Sequence, residues 1–280
     1  MFVIIGLVVV IAIIGVYFGV SSFGDRASRR YFESASVGER VNVFRENIQG
    51  CISDLTLNSI YLIGDQGGYY TRPERYYGLG EDEMIYGDYL SYYFYNGEVI
   101  TTEIDEMNRH LSRFVEDSFE SCLQEYSDDF FSFDVNPRVA ADVGENGVDF
   151  KFNGNVVLNS EGHSMTIDLI DYSEFYRVNL YGIHEVVNYL TESHYEDETL
   201  YCLSCLVAML EERNLYLDYY TMDENNILVV ITDRESDFAD EYYFLYVNRY
   251  TGQEVSRILS DNFEDEFKRY RQWLEIEAGR

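Results

Sequence analysis

Met1–Val20, with the sequence MFVIIGLVVVIAIIGVYFGV, contains no charged side chain. At a rise of about 1.5 Å per residue, roughly 20 apolar residues in a helix cover the ~30 Å hydrocarbon core of a bilayer. No second apolar run of that length follows in the sequence. We therefore expect a hydrophobic helix over residues 1–24 that anchors the chain in a membrane.

The same stretch carries a family resemblance. From Phe2 to Gly15 the chain reads FVIIGLVVVIAIIG, and this order resembles the mature N-terminus of archaeal type IV pilin-like proteins. The resemblance implies that the segment first anchors the subunit and then packs in the core of a filament. A plain single-span anchor is the alternative explanation. The residues that would form the anchor or filament core are Phe2, Ile5, Gly6, Leu7, Ile11, Ile14, Gly15 and Phe18.

Gly6 stands where bacterial pilins carry a glutamate. A carboxylate buried in an apolar core needs a charged partner, because an unpaired buried charge costs several kcal/mol. Gly6 and Gly15 remove that requirement, and small residues let helix backbones approach closely. We expect association through this helix to depend on shape and apolar contact.

The charge balance excludes one class of function. The chain has 20 basic and 51 acidic residues, a net charge of −31, and only Lys151 and Lys268 are lysines. Such a surface could not neutralise a row of phosphates, so we expect no nucleic-acid partner. Arginine in place of lysine on a strongly acidic surface is typical of salt-loving organisms, where salt screens self-repulsion. We expect the folded part to lose stability when salt falls from molar to about 0.1 M.

The first part of the chain has a helical pattern. Apolar residues at three- and four-residue spacings predict a helix from Ser28 to Ile63 that ends at Gly64 or at Gly67-Gly68. A second helix is predicted over Thr101–Tyr126. Between them lies a tyrosine-rich segment, Tyr69–Gly97, in which any regular structure should be short. The two helices would pack as an antiparallel pair across this loop.

After Asp128 the period changes to two, which predicts an antiparallel meander. Its strands are separated by turns at Asn-Pro, Glu-Asn-Gly and Asn-Gly. The predicted strands are 131–135, 138–143, 148–152, 156–158 and 165–170. Beyond them we predict helices over 173–193 and 200–213, strands over 215–221, 227–232 and 242–247, and a helical tail over 254–277.

These elements predict an α+β fold: an N-terminal hydrophobic helix, a helical hairpin, and then an antiparallel β-sheet region with packed helices. We divide it into an anchor (1–24), a helical stalk and hairpin with the tyrosine-rich loop (25–127) and an α+β ectodomain (128–280). The order of CI, GDQGGYY, CL and CLSCL along the chain is similar to uncharacterised single-span surface proteins of small-genome archaea. That resemblance assigns no activity.

Four cysteines behind a membrane anchor suit an oxidising compartment. Cys51 and Cys122 lie on the two predicted facing helices, so we predict that they pair and that Cys202 pairs with Cys205. A Cys-x-x-Cys pair can also serve thiol redox chemistry, or zinc binding together with His184 and His194. The absence of a preceding strand, the acidic flanks and the ten-residue spacing of the histidines favour a structural disulfide.

The tyrosines between the helices have two interpretations. They could cover the core, or they could form an interface, since tyrosine gives large contact area at low entropy cost. The candidate interface residues are Tyr69, Tyr70, Tyr76, Tyr77, Tyr92 and Tyr93. Acidic clusters at Asp223-Glu224 and at 233–241 could bind Ca²⁺, but in so acidic a chain they are more typical of a solvated surface.

The sequence contains no P-loop, Gly-x-Ser-x-Gly or His-Glu-x-x-His motif. We therefore predict a non-enzymatic structural protein of the cell surface, without cofactor or metal, that self-associates into a filament or remains a lone anchored ectodomain. A membrane-tethered ligand-binding or hydrolytic ectodomain is the alternative. Arg26, Arg29 and Arg30 after the anchor favour a cytoplasmic location for that side, whereas the cysteines and the charge favour the outside.

Overall fold

The computed structural model describes residues 37–78, 89–125, 132–160, 163–196, 203–239 and 241–250. The predicted anchor helix, the residues assigned to it, and the predicted tail helix lie outside these ranges. Among the residues described, no helix combines the length and apolar character that crossing a membrane requires.

The chain divides into two compact units, Met1–Gln49 and Gly50–Arg280. The described part of the first unit is the beginning of helix α1, Val37–Asp65. Val41, Phe44 and Ile48 are buried there at helical spacing.

The second unit has an α+β architecture, as predicted. Its described residues contain the remainder of α1, three further helices and ten strands. The helices are α2 (Ile104–Glu125), α3 (Leu180–Glu196) and α4 (Leu203–Arg213). The strands are β1 (Tyr76–Gly78), β2 (Tyr89–Tyr95), β3 (Glu98–Val99), β4 (Ser132–Gly144), β5 (Gly147–Ser160), β6 (His163–Asp168), β7 (Ser173–Tyr176), β8 (Leu215–Thr221), β9 (Asn226–Asp233) and β10 (Tyr242–Arg249).

Helix α1 ends at Asp65, in the region where Gly64, Gly67 and Gly68 predict a helix end. Gly67 and Gly68 have φ values of 61° and 86°, in the left-handed region that glycine adopts without a Cβ penalty. The amide of Gly68 donates to the carbonyl oxygen of Ile63 at 2.7 Å, which satisfies one of the last helical carbonyls.

The first sheet, which we call the mixed sheet, has the strand order β1-β2-β10-β9-β8, with β3 paired to β2. Strand β2 runs parallel to β10, whereas the other pairs are antiparallel. The prediction of a purely antiparallel sheet was therefore wrong here. The seven-residue strand β2 from the tyrosine-rich segment enters the sheet beside β10, a pairing that no local pattern specifies.

Strand β2 is held by the end of α1. Ser91 Oγ donates to the carbonyl oxygen of Gln66 at 2.6 Å, and Tyr93 Oη donates to that of Gly67 at 3.0 Å. Tyr89 Oη donates to the side chain of Gln66 at 3.0 Å. Alternate residues of the strand thus meet the helix cap, as the period of two requires.

The second sheet, the meander, has the strand order β4-β5-β6, with β7 also paired to β5, all antiparallel. The predicted meander is confirmed, and so is its Glu-Asn-Gly turn at residues 145–147, which joins β4 to β5. The turns predicted at Asn-Pro and Asn-Gly are wrong. Strand β4 continues through Asn136-Pro137 and β5 through Asn153-Gly154, where Pro137 and Gly154 are cross-strand partners. Gly154 has φ of 97°, so the glycine takes up the irregularity within the strand and no turn is needed.

Helix α2 covers the free edge of β4. Glu116, Ser112 and Asn108, spaced by one helical turn, accept hydrogen bonds from the amides of Val139, Ala141 and Val143 at 2.8, 2.9 and 2.9 Å. These side chains satisfy backbone donors that would otherwise be open to pairing with another strand. Helix α1 contacts both sheets, since Tyr176 of β7 donates to Ser53 and Tyr242 of β10 donates to Ile60.

One further prediction is corrected. The helix predicted over 173–193 begins only at Leu180, because Ser173–Tyr176 forms β7 against β5. Strand β2 comes from the predicted stalk (25–127) and pairs with β10 of the predicted ectodomain (128–280), and this division of the chain stays a prediction. The strands over 215–221, 227–232 and 242–247 are confirmed to within two residues.

Candidate functional site: an acidic cleft

A cleft of about 570 Å³ opens beside the start of α3, the end of α4 and the end of β9. Its lining is almost entirely polar, with five carboxylates, two arginines and three asparagines. They are Glu145, Glu185, Glu212, Asp233 and Glu235, then Arg177 and Arg213, then Asn146, Asn179 and Asn214.

Asn179 positions two of the surrounding helices. Its Oδ1 accepts a hydrogen bond from the amide of Gly182 at 3.0 Å, which makes it the N-cap of α3. Its Nδ2 donates to the carbonyl oxygen of Arg213 at 3.0 Å, at the end of α4. One side chain therefore joins the beginning of one helix to the end of the other.

Asp233 is the buried carboxylate of the cleft, with 3% of its surface exposed. Its two oxygens accept hydrogen bonds from the amides of Asn179 at 2.7 Å and Glu235 at 2.9 Å. The carboxylate thus fixes the loop after β7 to the end of β9.

Arg213 neutralises part of the acidic lining. Its Nε and Nη2 both donate to Glu185 Oε2, at 3.1 and 2.8 Å, and its Nη1 lies 3.1 Å from Glu212. The hydrogen bond to Glu185 raises the pKa of Arg213 above its already high ordinary value. Since Asn214 also donates to Glu235 at 3.3 Å, four of the five carboxylates have a protein partner. The cleft can offer hydrogen bonds to a polar ligand, but most of its carboxylates are engaged in holding the fold.

The sequence did not identify this cleft. Asn directly before an apolar helical stretch is a cap signal. Because the helix was predicted to begin at Ser173, Asn179 was placed inside it and not at its N-cap. In the sequence, Asp233 and Glu235 are part of an acidic cluster that is typical of a solvated surface. Among the residues described, no group of three or more His, Cys, Asp or Glu side chains is arranged to hold a metal ion.

The six candidate interface tyrosines do not share one surface. Tyr69, Tyr92 and Tyr93 are 9%, 5% and 0% exposed and belong to the core, so they are unavailable to a partner. Tyr70 and Tyr77 are half-buried and Tyr76 is exposed, which leaves these three as a predicted interface. Arg72 lies over the ring of Tyr76, 4.8 Å from its centroid.

His184 lies in the interior and not at a surface site. Its Nε2 donates to the carbonyl oxygen of Thr102 at 2.8 Å, and burial lowers its pKa, which favours the neutral ring. The zinc arrangement with Cys202 and Cys205 is therefore not supported for this histidine. The side chain of His194 lies outside the residues described.

The predicted pairing of Cys51 with Cys122 is confirmed, with Cα atoms 5.9 Å apart and a sequence separation of 71. Cys205 is also disulfide-bonded. Cys202 lies outside the described ranges, so the pairing of Cys202 with Cys205 stays a prediction.

The chain matches no protein-family model, and no match is found among curated proteins or solved structures.

Proposed function

We propose that the chain is a non-enzymatic structural protein of the cell surface, in which the hydrophobic N-terminal helix carries the acidic α+β unit. The helix would act as a membrane anchor or as the core of a pilin-like filament, with a stalk and helical hairpin between it and the ectodomain. The observation that carries the proposal is the uncharged run Met1–Val20 ahead of a folded unit.

The cysteine chemistry supports an extracytoplasmic location. The disulfide between Cys51 and Cys122 closes a long loop, and such bonds persist in oxidising compartments. Cys205 is also bonded. The chain therefore carries disulfide chemistry that a reducing cytoplasm disfavours.

The cleft supports a structural role over a hydrolytic one. A carboxylate pair that acts as general acid and base needs groups free to exchange protons with a substrate. Here Asp233 accepts two backbone amides, and Glu185 and Glu212 are bound to Arg213. These contacts fix helices and loops.

Electron microscopy tests the filament form. The full-length chain is purified in mild detergent, which is then removed at molar salt, and the sample is imaged. A filament subunit should form fibres of constant diameter, whereas a lone anchor should give only vesicle-bound or aggregated particles. Gly6→Leu with Gly15→Leu should keep membrane insertion but impair fibres, because bulky side chains prevent close helix approach.

Deletion of Met1–Val20 tests the role of the helix itself. We expect the shortened chain to remain folded and to lose both membrane partitioning and assembly. Continued polymerisation of the shortened chain would contradict the proposed role of the helix.

The polar cleft favours a ligand-binding ectodomain as a second candidate. Its asparagines and arginines are suited to hydroxyl-rich ligands such as sugars. If it binds them, saturating neutral oligosaccharide should raise the melting temperature. Arg177→Ala should abolish that shift, whereas Arg113→Ala, an exposed arginine on α2 outside this cleft, should not.

A further inference from the structure

One face of the mixed sheet is apolar and hidden from solvent. Its side chains come from β2, β8, β9 and β10, and none has more than 7% of its surface exposed; they are Leu90, Tyr92, Tyr220, Val230, Leu245 and Val247. We call this group the outer face. Tyr77, Tyr95, Met222, Leu228 and Tyr243 surround it and are partly buried against it.

Every one of these surrounding residues belongs to the same sheet or to the turn between β8 and β9. Neighbours within a sheet shield the flanks of a side chain, but its tip stays exposed unless another layer lies on top. Val247 is 0% and Val230 1% exposed. The outer face therefore requires a covering layer.

Helix α1 does not provide it, because α1 lies on the opposite face. Tyr242 of β10 donates to Ile60 of α1, and side chains alternate between the two faces of a strand. Leu245 and Val247 are at odd-numbered positions and so point away from the face that Tyr242 occupies.

The chain itself continues from this sheet. β10 lies in the middle of the strand order, and the amide of Tyr250 donates to the carbonyl oxygen of Asn225 at 2.9 Å. The chain thus leaves the sheet beside the turn between β8 and β9, at one end of the outer face. Residues 251–280 follow.

The sequence of this segment suits an apolar sheet face. Its hydrophobic residues recur at three- and four-residue spacings, and charged residues occupy the other side of the helical wheel. The hydrophobic positions are Val255, Ile258, Leu259, Phe263, Phe267, Tyr270 and Leu274. As a helix, residues 254–277 would extend for about 36 Å, enough to cross five strands spaced roughly 4.8 Å apart.

We propose that residues 254–277 of the same chain form a helix that docks through this apolar stripe onto the outer face and completes the second unit. The segment is connected to the sheet by a few residues, so docking closes only a short loop. The hydrophobic N-terminal run is a poorer occupant, since it has no polar side to turn toward solvent.

Trp273 reports on this docking, because it is the only tryptophan in the chain and lies within the segment. In the full-length protein at molar salt, we expect Trp273 emission to be blue-shifted. We also expect its quenching by acrylamide to be several-fold weaker than that of free tryptophan.

Phe263→Asp with Phe267→Asp places charges on the apolar stripe and should move the emission to that of exposed tryptophan. Glu264→Gln with Lys268→Gln alters the other side of the same helix and should leave it unchanged. Met222→Glu tests the sheet side, where Met222 packs against the cluster, and should also red-shift Trp273. This third variant separates docking on the sheet from burial in detergent.

The proposal is supported if Trp273 is buried at every protein concentration and becomes exposed both in the variant with Phe263→Asp and Phe267→Asp and in Met222→Glu. Burial that appears only in dimers and weakens on dilution would mean that the segment docks onto a second copy, and would overturn it. Exposed Trp273 in the unaltered chain, or emission insensitive to Met222→Glu, would also overturn it.

Discussion

The mixed sheet and the meander differ in where their strands come from. In the meander, β4, β5 and β6 follow one another along the chain and pair as neighbours. In the mixed sheet, β2 pairs with β10 across about 150 residues, and the pairing is parallel. The local pattern predicted β8, β9 and β10 of the mixed sheet and β4, β5 and β6 of the meander, but neither β2 nor β7. The partner of a strand can be inferred only where the two strands are consecutive.

The two sheets also differ in burial. Strands β2, β9 and β10 are buried along nearly their whole length, whereas in β4 exposed residues alternate with half-buried or buried ones. A sheet buried on both faces depends on packing from both sides, while the meander presents one polar face to solvent. Substitutions in the two sheets should therefore differ in effect.

Tyr93→Ala should show the largest effect. Tyr93 is fully buried against Phe244 and Tyr246 and donates to Gly67. Removing a buried aromatic ring costs about 3–5 kcal/mol of unfolding free energy, as urea denaturation would measure. Phe175→Ala in the meander, at a position 53% exposed, should change it by less than about 0.5 kcal/mol. Equal losses at both sites would remove the distinction between the sheets.

Asp65→Asn should remove a pH-dependent loss of unfolding free energy that arises beside the mixed sheet. Burial raises the pKa of Asp65 from 3.8 to about 7. The unfolded chain ionises near pH 4 while the folded chain stays protonated, so the unfolding free energy falls as pH rises from about 4 to 7. Asn carries no proton to lose, so the unfolding free energy of the variant should match that of the parent at pH 4 and exceed it by at most roughly 4 kcal/mol at pH 8.

The measurement is urea denaturation of both proteins across this pH range. Only the difference between them is interpreted, because the many other carboxylates titrate in both. A difference that stays constant with pH would contradict the burial of an uncharged Asp65.

Gly154→Ala tests the irregularity that keeps β5 continuous. A Cβ at Gly154 would overlap the carbonyl oxygen of Asn136, and its φ of 97° strains any residue with a side chain. We expect a loss of about 2–3 kcal/mol. Gly50→Ala is the matched control, because nothing lies within 4 Å of a Cβ there, and in a helix it should stabilise by up to about 1 kcal/mol.

Ser112→Ala should have the smallest effect, at the edge of the meander. It leaves the amide of Ala141 without its acceptor, at a cost of about 1 kcal/mol. Hydrogen exchange at Ala141 should accelerate. Glu116→Gln keeps an acceptor for Val139 and should leave exchange at that amide nearly unchanged.

The candidate cleft shows the limit of local inference most directly. Asp233, Asn179 and Arg213 are far apart in sequence. The hydrogen bonds that Asn179 forms with the Asp233 carboxylate and with the Arg213 carbonyl oxygen exist only because the start of α3 and the ends of α4 and β9 lie together. The mistaken helix over 173–193 removed the one local signal, the cap at Asn179. Acidic residues are so frequent in this chain that their clustering in sequence could not mark a site.

The sequence by itself determined the α+β class, the meander, the cap of α1 and the pairing of Cys51 with Cys122. Each depends on periodicity, on glycine geometry or on two elements that a single connection brings together. Only the tertiary structure decided that β2 joins β10, that Tyr92 and Tyr93 belong to the core, and that β4 and β5 continue past Pro137 and Gly154. In these cases the decisive free energy comes from burial and hydrogen bonding between segments distant along the chain, which no local pattern contains.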